Sequence, residues 1–444
     1  MKKIFLLLLC LLPFGLKAQN FRTWALTPPM GWNSWDCYGP TVTEAEVKAN
    51  ADYMAKNLKQ YGWQYIVVDI RWFVANTKSH GYNEKDPVYN LDDYGRYLPA
   101  ENRFPSAAGG KGFKALADYI HRLGLKFGIH IMRGIPKIAS IRHTPVLGAN
   151  GITADQISTP EGQCNWLHDN YTILADKPGA QEYYNSIMDL YASWGVDFIK
   201  VDDLSAPTYH EDEIDLIRKA IDQTGRPMVL SVSPGETPIG SAKHVDSHVN
   251  MWRMVNDVWD NWNDITHLMK VAQRWYSYIG EGTWPDCDMI PLGHLSIRGE
   301  RGNDRMTNLT TDEQYSLMSF FSMMRSPLMF GGDLPTMDSF TLKLLTNKEV
   351  LRMHDQSTKT RQLFMTDTQL AVTSVNVNTS ETYLALFNIG DNHDVNIMVN
   401  LKNLGLKGRY RAVNLWTGSK LGSVIGKYTK KLRPHACILI KFYK

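Results

Sequence analysis

Several features are scarce in this chain of 444 residues, and each scarcity excludes something. There are 5 cysteines. Cys37, Cys164, Cys287 and Cys437 are scattered, with spacings that fit neither a disulfide framework nor a zinc pattern. HExxH, CxxC and a phosphate-binding glycine loop are all missing. No metal or organic cofactor is expected. Net charge is also small, with 48 Lys and Arg against 45 Asp and Glu. Lys2, Lys3 and Lys17 fall in the leader described next, so the remainder is balanced. A balanced chain without a basic cluster argues against nucleic acid or an anionic membrane as partner.

Long apolar runs are equally rare. The one at Ile4–Leu12 follows Lys2 and Lys3 and precedes Leu16-Lys17-Ala18, the pattern of a signal peptide with cleavage after Ala18. It is too short to span a bilayer, and no later run is long enough. Cys10 lacks the small residues of a lipoprotein box. The expectation is export to the periplasm or medium. Export permits disulfides, but the sequence leaves their pairing open.

What is present suits a large globular protein. The chain is 43% apolar and 21% charged, enough to bury a sizeable core. It has 13 Trp and 21 Tyr, rings that stack on sugar faces or line pockets, although core packing accounts for most of them in a chain of this size.

The pattern from about residue 25 to 340 alternates short apolar strands with amphipathic helices. Thr43 to Tyr61 reads as a helix opened by the capping box Thr43-Glu-Ala-Glu46. Tyr65 to Trp72 reads as a buried strand ending at Asp69. A helix at about 113–123 stops at Gly124 and precedes the strand Leu125–Ile131. A loop-like stretch covers Arg133 to Lys177. A helix near 180–194 leads into the strand Val196–Val201, which ends at Asp202 and Asp203. Further on come a helix at 211–223, a strand at Met228–Val232, a short strand at Val249–Arg253 running toward Asp257, and a helix at 265–272. Met30–Asp36 and Thr283–Met289 read as loops, and a second capping box, Thr310-Thr-Asp-Glu313, opens a helix at 311–325. This rhythm specifies βα units and a parallel sheet. At roughly 300 residues a (β/α)₈ barrel is favoured over an open sheet.

From about residue 355 the pattern changes to short β segments at 370–377, 382–388, 395–399, 410–415 and 436–442, an antiparallel sandwich that carries few clustered acids. The domains expected are a signal peptide at 1–18, a barrel at 25–340 and a β domain at 355–444. Strands of a barrel present chemistry at their C-terminal ends. Carboxylates at or near such ends are Asp69, Asp202 and Asp257, with Asp286 and Asp288 on a loop. Two carboxylates flanking one bond, beside Trp and Tyr, are the minimum apparatus for glycoside hydrolysis, one ionised and one protonated. For Asp202 and Asp203 alone, loop entry and helix capping is an equal alternative.

The ordered motifs Met30-Gly-Trp-Asn-Ser-Trp35, the Val-Val-Asp strand ending at Asp69, Tyr94-Gly-Arg96, Arg103-Phe-Pro-Ser106, Gly124-Leu-Lys-Phe-Gly-Ile129, Trp194–Asp202, Trp252-Arg253 with Asp257, Trp284-Pro-Asp-Cys-Asp-Met289 and Arg325-Ser-Pro-Leu328 resemble glycoside hydrolase family 27, the α-galactosidase family of clan D. The resemblance implies a retaining double displacement, with Asp202 as nucleophile and Asp257 as general acid/base, and carboxyl groups roughly 5–5.5 Å apart. It implies that Trp35 packs on the apolar face of the sugar, that Asp288 binds the 2-hydroxyl with Met289 beside it, and that His130 stands where many relatives carry Tyr. Lys200, on the strand face of Asp202, keeps that acid ionised or is a snorkelling barrel lysine. His130 reads equally as a hydrogen-bonded core residue. Arg253 orients a hydroxyl or a carboxylate next to Asp257. Asp286 reads as structural.

One departure bears on specificity. Most α-galactosidases carry two adjacent Asp at the position of Asp69-Ile70, and the pair holds the 4- and 6-hydroxyls. Ile70 removes an acceptor and occupies space, which favours a sugar with no C6 over a hexose whose hydroxyl is left unpaired, at about 1–3 kcal/mol. Some relatives with Ile here are β-L-arabinopyranosidases. The alternative is that Ile70 merely repacks while another loop holds the hydroxyl. Ser233 stands where some relatives carry a specificity residue. The 133–177 segment is expected to shape the far side of the pocket, with Trp166 and Asp169 as candidate substrate contacts. The activity expected is exo-acting release of terminal β-L-arabinopyranose from plant glycans. Dominant or shared α-galactosidase activity is the alternative, and a catalytically inactive sugar-binding protein is a third. The partner is a carbohydrate, and a homo-oligomer is allowed.

Overall fold

The computed structural model describes residues 21–444. The signal peptide expected at 1–18 lies outside the described residues. Among them, no helix is long and apolar enough to cross a membrane. A nine-strand sheet forms the first half. Its strands are β1 (Met30–Asn33), β2 (Tyr65–Val68), β3 (Lys126–Met132), β4 (Phe198–Asp202), β5 (Val229–Val232), β6 (Met251–Arg253), β7 (Trp284–Asp286), β8 (Met289–Ile290) and β9 (Leu328–Phe330). They lie in the order β7-β6-β5-β4-β3-β2-β1-β9-β8, and every pairing among them is parallel.

The two edge strands of that order are consecutive in the chain. β7 pairs with β6, β8 pairs with β9, and only Cys287 and Asp288 separate them. They are two halves of one kinked strand, with Asp288 at φ +90° as the kink. The kink joins the ends of the sheet and closes the eight-strand barrel.

Two sequence expectations need correction here. Met30–Asn33 is the first barrel strand followed by a helical turn at Trp35–Tyr38, and Thr283–Met289 holds the seventh strand. Pro285 and the polar residues hid the second. A barrel strand hydrogen-bonded mostly through one neighbour tolerates Pro where its missing N–H faces away from the ladder.

Helices cover the barrel: α1 (Glu44–Asn57), α2 (Lys114–Arg122), α3 (Ala180–Trp194), α4 (Glu211–Gln223), α5 (Ala242–His248), α6 (Trp262–Val271) and α7 (Thr311–Met323), all at expected places except α5, which has no counterpart among the helices expected from the sequence. Both capping boxes form, with Glu46 and Glu313 returning to the amides of Thr43 and Thr310 at 2.9 and 2.7 Å. The 133–177 stretch is ordered rather than loop-like. It holds a short helix at Lys137–Ile141 and a three-strand ribbon of Ile135–Pro136, Asn170–Ile173 and Ser158–Thr159.

The C-terminal domain contains β10 (Ser357–Met365), β11 (Gln369–Asn376), β12 (Thr382–Asn388), β13 (Val395–Asn400), β14 (Arg409–Asn414), β15 (Lys420–Ile425), β16 (Lys427–Leu432) and β17 (Cys437–Tyr443). Six of these form one sheet in the order β10-β11-β12-β17-β14-β15, and β13 pairs with β16 as a second layer. β10, β15 and β16 are additional to the five segments legible in the sequence. Their polar, half-exposed residues give little period-2 contrast. The alternation inside β12 is explicit. Tyr383, Ala385 and Phe387 join the core shared with the barrel, whereas Leu384 and Leu386 join the core between the two layers.

Helix α7 lies between the domains and is buried from Glu313 to Met323 except at Tyr315. The Ser316 hydroxyl donates to the carbonyl of His435 at 2.6 Å, and Trp416 Nε1 donates to Ser319 Oγ at 2.8 Å. The His435 ring stacks on Trp262 at 4.3 Å.

Candidate active site

A cavity of about 720 Å³ opens at the C-terminal ends of the barrel strands. Eleven of the residues singled out from the sequence line it: Trp35, Asp69, Ile70, His130, Lys200, Asp202, Ser233, Arg253, Asp257, Asp288 and Met289.

Local folding explains how β2 and β4 deliver their acids. β4 ends in Asp202 and Asp69 directly follows β2, and each Asp accepts from the next residue's amide: Ile70 N–H to Asp69 Oδ1 at 2.8 Å, and Asp203 N–H to Asp202 Oδ1 at 3.0 Å. Each is followed within two residues by a non-glycine in the left-handed region, Arg71 at φ +64° and Asp203 at φ +64°. Such conformations persist only where surroundings fix them. Arg71 is fixed by an ion pair of two bonds to Asp169, at 2.9 and 3.0 Å. Asp203 is fixed by Arg133, which also binds Glu213 at 2.8 Å. Burial, with the neighbouring Asp202 charge, pushes the Asp203 carboxyl up to about 7 even against Arg133.

The environments of the two central carboxylates differ. Asp202 Oδ1 also accepts from Ser233 Oγ at 2.8 Å, and its Oδ2 lies 3.7 Å from His130 Nε2. Ser233 is therefore a partner of Asp202 as well as a wall residue. Asp257 sits on the loop after β6, with its side chain 45% exposed. It lies between Arg253, 3.2 Å from Oδ1, and Arg301, 3.4 Å from Oδ2. Burial works against its charge, but Arg253, Lys200 and Arg301 outweigh it and hold the carboxyl below its usual value.

Arg253 also pairs with Asp288 at 2.7 Å, and Asp288 accepts the Val258 amide at 2.7 Å. Asp286 accepts the Asp288 amide at 3.0 Å and does not line the cavity, in keeping with a structural role. Lys200 is buried. Desolvation pulls its ammonium down, yet the charges of Asp69, Asp202 and Asp288 prevail and raise it. It remains a cation among acids.

His130 Nδ1 donates to Asp69 Oδ1 at 2.7 Å. Burial alone would raise Asp69, but His130 and Lys200 keep it well below the usual carboxylate range. Asp69 Oδ2, His130 Nε2 and Asp36 Oδ2 are buried, and none has a hydrogen-bond partner among the described residues. Leaving such groups unpaired costs about 1–3 kcal/mol each. Their convergence on one cavity marks where the hydroxyls of a ligand are received. Ile70 stands beside them, 2% exposed, in an apolar cluster with Trp35, Met132, Leu167, Trp259 and Met289.

Sequence reasoning missed several lining residues. Asp36 was passed over beside Trp35. It tucks against Gly331, where a Cβ would meet Asp36 Oδ2 at 2.0 Å, so only glycine fits there. Burial, with the charge of Asp288 nearby, pushes its carboxyl well above the usual range. Tyr82, Glu236, Trp259, Glu300 and Arg301 come from long connections whose spacing carries no period. Trp35 Nε1 donates to Glu300 at 3.1 Å, and its ring lies 5.4 Å from Tyr82. Trp166 lines the cavity as expected, but Asp169 does not. It is the buried counter-ion of Arg71 and accepts from Tyr89. All four cysteines beyond the leader are free thiols.

The lining holds seven carboxyl side chains, Asp36, Asp69, Asp202, Glu236, Asp257, Asp288 and Glu300, against the cations Lys200, Arg253 and Arg301. The excess suits a neutral substrate that becomes positive on the way to reaction and repels an anionic one.

Two family models match the chain: alpha galactosidase A over residues 168–356 and the alpha galactosidase C-terminal beta sandwich domain over residues 367–442. A GH27 β-L-arabinopyranosidase from Geobacillus stearothermophilus superposes with a TM-score of 0.93 at 48% identity, covering 96% of this chain and 98% of that one. The α-galactosidase of Cyamopsis tetragonoloba is 28% identical over 418 residues, 93% of this chain and 85% of that protein. Alpha-galactosidase I from Mortierella vinacea, at 22% identity and a TM-score of 0.70 over 95% of this chain and 98% of that one, shares the fold. With the barrel, the sandwich and the carboxylate-lined cavity in place, these likenesses establish that the chain belongs to glycoside hydrolase family 27 and is a glycosidase.

Proposed function

We propose that the protein is an exo-acting retaining glycosidase that releases terminal β-L-arabinopyranose from plant glycans. The observation that carries this reading is Ile70 on the cavity wall beside Asp69. The α-D-galactopyranosyl and β-L-arabinopyranosyl rings share every stereocentre and differ by one exocyclic CH₂OH. Where a second carboxylate would accept the primary hydroxyl, a branched alkyl group offers only apolar contact. A pentose leaves nothing unpaired there. The Geobacillus enzyme, 48% identical, supports the same sugar.

In the proposed first step Asp202 attacks the anomeric carbon. Its Oδ1 is occupied by Ser233 and the Asp203 amide, so Oδ2 is the attacking atom. Asp257 protonates the leaving oxygen, and the developing positive charge on the ring is met by the surrounding carboxylates. Asp257 then takes a proton from water, which attacks the glycosyl–Asp202 ester and releases the sugar with retained configuration. Asp69, His130 and Asp36 receive ring hydroxyls through their unpaired atoms. Arg253 fixes Asp257 and Asp288 relative to each other.

The test is hydrolysis of p-nitrophenyl β-L-arabinopyranoside against p-nitrophenyl α-D-galactopyranoside. The expected result is a higher kcat/KM on the arabinoside. A tenfold preference for the galactoside would overturn the specificity, and the second reading, α-galactosidase, would then hold, as in the Cyamopsis relative. We also propose export through the leader at 1–18. N-terminal sequencing of the protein from periplasm or medium should begin at Gln19.

A further inference from the structure

Away from the cavity, on the outer face of the barrel, three side chains from two helices converge. His244 and His248 stand one turn apart on α5, their rings stacked at 4.1 Å. Both Nε2 atoms point at the same oxygen, Asp215 Oδ1 on α4, at 2.9 and 3.2 Å. Four bonds of zinc–nitrogen or zinc–oxygen length in a tetrahedron set neighbouring donors about 3.3 Å apart, so little movement separates these atoms from a coordination shell. Glu211 Oε1, 3.9 Å from His244 Nε2 and on an exposed side chain, is within reach as a fourth ligand.

The other ring nitrogens are already engaged. His248 Nδ1 lies 2.9 Å from the carbonyl of His244, and a carbonyl only accepts, so in the neutral ring the proton sits on Nδ1 and the Nε2 lone pair is available to a metal. His244 Nδ1 lies 2.7 Å from the Tyr209 hydroxyl, which can accept the Nδ1 proton in the same tautomer. Outer partners that fix the ring and the tautomer are the usual companions of metal-binding histidines. An ordinary surface His–Asp contact needs one histidine and no such orientation of two.

We propose that Asp215, His244 and His248 form a binding site for a borderline divalent cation, with zinc as the best match to two imidazoles and a carboxylate. The site lies outside the catalytic cavity and is independent of the sugar specificity argued above. Its position gives it a consequence. The connection entering α4 supplies Ala206 and Pro207 to the cavity wall, and the one before α5 supplies Ser233 to Glu236. A cation clamping α4 to α5 would tie together the two βα connections that flank Asp202.

The experiment uses full-length, untagged protein stripped with chelator, titrated with zinc chloride by calorimetry and followed in parallel by thermal melting. The wild type should bind about one zinc per chain with a micromolar or tighter Kd and melt at higher temperature as zinc is added. His248→Ala and Asp215→Asn should weaken binding at least tenfold, and Tyr209→Phe, which removes only the outer partner, by about tenfold. Glycosidase turnover without zinc reports that His248→Ala and Asp215→Asn remain folded. Millimolar or undetectable binding by the wild type, or variants that bind as tightly as it does, would overturn the proposal.

Discussion

The floor and the rim of the cavity are built in different ways. The floor is made of strand ends: His130, Lys200 and Asp202 lie within paired strands, Asp69 and Ser233 directly follow β2 and β5, and Asp69, His130 and Ser233 are at most 2% exposed. The rim is made of Tyr82, Trp166, Glu236, Trp259, Glu300 and Arg301, carried on long connections and, apart from buried Trp259, partly open to water. The floor can hold a sugar ring to a fraction of an ångström, as a reaction at one carbon requires. The rim can only shape what lies beyond the leaving oxygen. Asp257 belongs to both regions, anchored by buried Arg253 on one side and by exposed Arg301 on the other.

That contrast can be broken or sharpened by experiment, the largest effect coming first. Asp202→Asn should lower kcat by about 10⁴-fold or more while the variant still binds sugar. A residual rate near the wild type would remove Asp202 from the chemistry. Ile70→Asp should move the ratio of kcat/KM toward the galactoside by about tenfold, the range expected for one restored buried acceptor. No movement would mean that the hydroxyl is held elsewhere. Arg301→Gln tests the rim electrostatically. Arg301 is one of the cations that hold the Asp257 carboxyl low, so its loss raises that pKa. The acid form then persists to higher pH, and the alkaline limb of the kcat/KM profile should move upward, whereas the reverse shift would contradict the assignment. Trp166→Ala should be smallest, raising KM for glycosides with bulky leaving groups a few-fold while leaving small ones unchanged. A matching loss on both would move Trp166 into the ring-binding floor.

The same contrast explains what was legible in the sequence. Residues on the floor follow apolar strands with period and length that read directly, and Asp69, Asp202 and Lys200 were found that way. Asp36 was missed because nothing local distinguishes it. Its burial depends on Gly331, almost three hundred residues away along the chain. Asp169 was misplaced among substrate contacts because its partner, Arg71, comes from a different connection. Thr283–Met289 read as a loop because its role as barrel closure arises only when β6 and β9 lie on either side of it. The rim residues share no spacing at all, since each arrives on a different excursion.

Helix α7 has a further consequence for how the molecule comes apart. Its inward side supports the barrel and its outward side is roofed by Trp416 and His435 of the sandwich. A fragment ending near residue 356 would leave that outward side wet, including Ser319 and Phe320. The two halves are therefore not separable modules, and calorimetry of the intact chain should trace one melting peak rather than two.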